Sequence, residues 1–187
     1  MPIAAASTSE AAHWTAAALR LVEQVPPVFR LNAVQARAWV CVAIDDELEG
    51  KAAERLARAC TAFSFTSGWS LEIPWTPGGW TPGAHRFVPS APEFVAMSKG
   101  AYIGSCSLLM DDAEGYAATS DGDLYWMLAG PRAFVEEAIG RSVEAEMEAF
   151  GRSVDAYGGE ATIAGRVLCA AQSVAAAACG GLSGPKP

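Results

Sequence analysis

Apolar residues recur at three- and four-residue steps through Trp14, Ala18, Leu21, Val22 and Val25, the spacing of one helix face. Ser7, Thr8 and Ser9 offer N-caps and Glu10 lies in the first turn. Pro26-Pro27 ends the run, because proline donates no backbone hydrogen bond and restricts its predecessor. Residues 38–44 are apolar, with the β-branched Val40, Val42 and Ile44 alternating. That alternation predicts a strand, followed by a helix from Glu47 to about Phe63 with Leu48, Ala52, Leu56, Ala59, Cys60 and Phe63 on one face. A pair of helices across 33–62 is the alternative. Trp69 to Ile73 alternates as a half-buried strand should.

Trp75-Thr-Pro-Gly, Gly79 and Trp80-Thr-Pro-Gly follow, with further prolines at 74, 89 and 92. Each Pro-Gly pair has the chemistry of a type II turn. The sequence therefore predicts a long ordered loop over 74–92, of a length that is often functional. A short helix or turn is expected near Glu93 to Lys99, then strands at 101–110, 115–120 and 123–129. Asp121-Gly122 between the last two is a strong hairpin signal. Gly130-Pro131 opens a predicted helix over 132–157, ended by Gly158-Gly159. An alanine-rich helix over about 161–178 completes the pattern, and having no charged face it is expected to be covered by the core or by a second subunit.

These elements describe an α+β fold: a mostly antiparallel sheet with helices packed on one face, in a single domain over 1–187 with frayed ends at 1–8 and 181–187. Charge then narrows the partners. Thirteen Lys and Arg stand against 21 Asp and Glu, a formal net charge of −8. No basic run occurs, which argues against nucleic acid and anionic membranes. The negative charge is concentrated between Asp111 and Glu160, where twelve acids face three arginines. The five cysteines are scattered, without metal-ligand or redox spacing. They predict reduced thiols and a cytoplasmic setting. The start lacks the features of a signal peptide, and the uncharged stretch after Val167 is too weakly apolar for a membrane span.

The helix over 132–157 carries two stripes. Val135, Ile139, Val143, Met147, Phe150, Val154 and Tyr157 fall in one arc, and Glu137, Glu144, Glu148 and Asp155 fall opposite. Glu137–Arg141 and Glu148–Arg152 are spaced for i,i+4 pairs, so the acidic stripe is compatible with a plain solvated face. It also has the form of a docking strip for a basic partner. Trp75 and Trp80 are candidate binding anchors, or plugs folded over the sheet. His85 is the better placed of two histidines for proton transfer, while His13, beside Trp14, reads as structural. Cys106 with His85 makes only an imagined nucleophile pair, for nothing in the spacing requires it. Asp111, Asp112, Glu114, Asp121 and Asp123 lack the calcium-loop pattern, and neither zinc nor phosphate-loop motifs occur.

No metal or cofactor is expected. The function predicted is a non-enzymatic acidic binding protein, an immunity or inhibitor protein of bacterial type that neutralises a basic toxin or enzyme partner. Its expected contacts are Trp75, Trp80, His85, Glu137, Glu144, Glu148 and Asp155, on a monomer or homodimer. The alternative is a small enzyme or ligand-binding domain using the Trp/Pro/Gly loop at 69–86 with His85.

Overall fold

The computed structural model describes residues 4–5, 7–23, 28–45, 48–74, 84–99, 105–120, 125–156, 165, 167–169 and 171–173. Helix α1 (Thr8–Leu21) starts at a capping box. The Glu10 amide donates to Ser7 Oγ at 3.4 Å and the Ser7 amide returns to Glu10 Oε2 at 3.0 Å, which satisfies two otherwise orphaned donors. The short helix α2 (Leu31–Ala36) leads into strand β2 (Val40–Ile44), and helix α3 (Gly50–Ala62) follows. The strand–helix order expected over 38–63 is thus the one observed. Ala38, at φ 52°, makes the left-handed turn between α2 and the strand.

Among the described residues, strand β1 (Ala4–Ala5) lies at one edge of a seven-stranded sheet ordered β1-β4-β3-β5-β6-β7-β2, antiparallel at every pairing. The remaining strands are β3 (Gly68–Pro74), β4 (Ala84–Phe87), β5 (Ser105–Asp111), β6 (Ala117–Ser120) and β7 (Trp126–Gly130), with helix α4 (Ala91–Lys99) between β4 and β5. Neither edge is a long open template. One ends in a two-residue strand, and β2 at the other is buried along its whole length with α6 (Val143–Ala156) against it.

The α+β class and the antiparallel sheet are as expected, but the helices divide between both faces. Opposed residues on antiparallel strands share a face. Trp69 opposes Arg86, whereas Phe87 opposes Gly68, so Trp69 and Phe87 point to opposite sides. Trp14 of α1 stacks on Trp69, with ring centroids 5.5 Å apart. Phe94 of α4 meets Phe87 edge-on at 5.8 Å. Burial of every residue in β2, β6 and β7 has the same cause: central strands covered twice lose the apolar–polar alternation of a one-sided sheet.

Three other expectations need correction. The predicted loop over 74–92 contains β4, whose His85 and Arg86 are exposed and whose Ala84 and Phe87 are buried. A four-residue strand flanked by turn chemistry carries little periodic signal. The predicted helix over 132–157 is two helices, α5 (Arg132–Ile139) and α6, separated at Gly140 in the left-handed conformation, φ 74°. Glycine adopts this without a Cβ penalty and so ends a helix readily. The apolar stripe survives the break, for Val135, Ile139, Val143, Met147, Phe150 and Val154 are all buried; Tyr157 lies outside the described residues, as does the Asp121-Gly122 turn. Finally, the C-terminal stretch is helical where described, with Val167, Leu168 and Ala171 buried inside the chain, but Cys169, Gln172 and Ser173 are exposed. No helix among the described residues is long and apolar enough to cross a membrane.

Candidate functional site

The acidic turn after β5 is built as structure. One oxygen of Asp111, a residue only 3% exposed, accepts the amides of Ala113 at 2.9 Å and Gly115 at 3.2 Å. Asp112 pairs with Arg86 at 2.6 Å and bonds Ser67, and Glu114 pairs with Arg37 at 2.5 Å. Among the described residues no cluster of His, Cys, Asp and Glu is arranged to hold a metal. Burial pushes the Asp111 carboxyl above its ordinary pKa, partly offset by those two amides. A raised folded-state pKa means stability is lost as pH rises from the unfolded value through the folded one. Asp111→Asn keeps the accepting oxygen and removes the buried charge. It should match wild type near pH 4 and equal or exceed it at pH 7, as read by urea unfolding at both pH values. Asp111→Ala should cost roughly 1–3 kcal/mol by orphaning the two amides. A loss at pH 7 for Asn as large as for Ala would refute this account.

Nearby thiol and phenol groups are equally inert. Burial pushes the Cys60 thiol up to about 12 and the Tyr116 hydroxyl well above its usual range. Cys41 is buried and raised in the same way. A reactive cysteine needs the opposite shift.

Of the residues predicted to contact a partner, Glu144, Glu148 and Asp155 come together. At about 100° per residue they fall within an arc of roughly 40° on α6, and all three are exposed. Glu137 is also exposed but stands on α5, across the Gly140 turn, outside that arc. The expected Glu137–Arg141 pair is replaced: Arg141 binds Glu146, and Arg132 bridges Glu136 at 3.2 Å and Glu144 at 2.8 Å. Glu148–Arg152 forms as expected, at 2.7 Å. Its own backbone amide and then Arg132 hold the Glu144 carboxyl below its ordinary pKa.

Trp75 and Trp80 lie outside the described residues, and of Cys106 only the backbone is described. His85 is exposed on β4 opposite Ser70, with Glu72 two residues along the same face of β3. No hydrogen bond joins His85 to Ser70 among the described residues. His13 is exposed and meets Trp14 edge-on at 5.2 Å.

A pocket of about 340 Å³ opens where β2, β7, α3 and the α5–α6 turn meet, lined by Ile44, Asp45, Arg55, Trp126, Ile139, Arg141 and Glu146. Glu146, its side chain 3% exposed, is held by the half-exposed Arg141. The Nε of Arg55 and the indole N–H of Trp126 are both buried without an acceptor among the described residues. Gly140 makes room for the arginine, since a Cβ there would lie 3.1 Å from Arg55 Cδ. The site is not legible along the chain because its residues come from five separate elements. One signal was available: Glu146 sits 40° from Phe150 on the helical wheel, an acid at the margin of a buried arc.

The chain matches no protein-family model, and comparison with curated proteins and with solved structures finds no match.

Proposed function

We propose that the chain is a non-enzymatic acidic binding protein that docks a partner of basic surface, as an immunity or inhibitor protein does. The observation that supports this is the outward face of α6, where Glu144, Glu148 and Asp155 share one arc away from the buried stripe. Arg132 and Arg152 offset two of these carboxylates, but exposed pairs of this kind hold little energy and exchange readily for a partner's cations. The overall charge of −8 adds long-range attraction to the same class of partner. Of the other residues expected at the contact, Glu137 stands on α5, Trp75 and Trp80 lie outside the described residues, and His85 stands on β4, five strands across the sheet from β2, against which α6 packs. The proposed contact surface therefore centres on α6 and leaves His85 out.

The test is affinity capture from the source cell, followed by association kinetics with the captured protein. The expected partner has a basic surface. Changing Glu144 and Glu148 to Lys should slow association about tenfold or more at low salt and flatten its salt dependence, with dissociation little changed. A partner without basic character, or association rates identical for wild type and the double variant, would refute the proposal.

A further inference from the structure

We infer that the pocket between β2, α3 and the α5–α6 turn binds a small monocarboxylate with an apolar body. The inference is independent of the acidic docking face, since it uses Arg55, Trp126, Ile44 and Ile139 and none of the exposed α6 acids.

Four formal charges line the pocket: Arg55, Arg141, Asp45 and Glu146. Arg141 and Glu146 satisfy one another. Arg55 is the cation left over, with no ion pair among the described residues and a buried Nε lacking an acceptor. Trp126 lines the same wall through its ring, its indole N–H being buried away from the opening. A guanidinium donates and cannot accept, so the complementary ligand brings an acceptor. An arginine without a counter-ion is a ready partner for an anionic oxygen, and arginine binds planar carboxylates with two parallel hydrogen bonds.

The acids limit the charge of that ligand. Because the four lining charges cancel, a phosphate dianion would gain one free arginine while facing Asp45 and Glu146. A monoanion suits the balance better. Ile44, Ile139 and the Trp126 ring then provide apolar wall for the rest of the molecule, and the volume lies in the range of small-ligand pockets. Gly140 is a positioning residue here, because its missing side chain leaves the space that the Arg55 stem crosses.

The test titrates the full chain with 4-methylpentanoate, following tryptophan fluorescence and the thermal midpoint. Parallel titrations use its neutral amide, 4-methylpentanamide, and inorganic phosphate. Saturable binding of the carboxylate is expected, about tenfold or more tighter than the amide, with phosphate weaker still. Arg55→Met should abolish the preference for carboxylate over amide while leaving circular dichroism unchanged. Should that variant fail to fold, the comparison of carboxylate with amide on the wild-type chain decides alone. Absence of saturable binding, equal affinity for amide and carboxylate, or a preference for phosphate would each overturn the inference.

Discussion

Replacing Phe134 by alanine is expected to destabilise the protein by about 3–5 kcal/mol, the range for emptying a large buried aromatic site. Phe134 is fully buried, and three rings surround it: Tyr116 at 4.8 Å, Phe65 at 5.2 Å and Phe63 at 5.5 Å between centroids. Its ring also lies over Gly130 at the end of β7, where an added Cβ would be 3.0 Å from Phe134 Cδ1. One side chain therefore ties α5 to the sheet, to the segment leaving α3 and to the turn between β5 and β6. The cavity cannot collapse easily, because its walls belong to separate elements fixed by their own hydrogen bonds. Urea unfolding should show a lower midpoint at unchanged slope. Phe134→Leu should lose markedly less, since most of the volume remains. A loss under about 1 kcal/mol for the alanine variant would mean that the cluster relaxes around the hole.

The second large effect is expected at Gly68, and it comes from adding atoms. A Cβ there would lie 2.4 Å from the carbonyl oxygen of Met110 and 3.0 Å from two ring atoms of Phe87. The phenylalanine can turn aside, but the carbonyl belongs to the backbone of β5, and β3 is paired on both sides. Relief requires the strands to separate, so Gly68→Ala should cost about 1–3 kcal/mol or more. Gly151, inside α6, provides the contrast. Among the described residues its added Cβ would meet only Leu168 Cδ2, at an ordinary 3.8 Å. There the same substitution should stabilise by up to about 1 kcal/mol, because alanine loses less backbone entropy than glycine on entering a helix. Thermal unfolding of both variants should move in opposite directions. Equal shifts would show that strand contact at Gly68 is not what limits the side chain.

Most elements were legible along the chain because their causes are local. The Ser7–Glu10 cap, the alternation of Val40, Val42 and Ile44, and the buried stripe from Val135 to Val154 each follow from neighbours a few residues apart. Charge was legible too, since the exposure of Glu144, Glu148 and Asp155 follows from their place opposite that stripe. Local pattern could not decide whether Gly140 continues a helix or ends it, because the glycine is tolerated in either state. Its left-handed turn is supported by what it packs against, Arg55 from α3. Nor could it show that helices cover both faces of the sheet, for a strand buried twice and a short buried helix have the same apolar run. The pocket belongs wholly to the tertiary structure. Arg55, Trp126, Arg141 and Glu146 lie far apart or on different elements, and only the packing of α5 and α6 beside β2 and β7 brings their charges and donors within reach of one ligand.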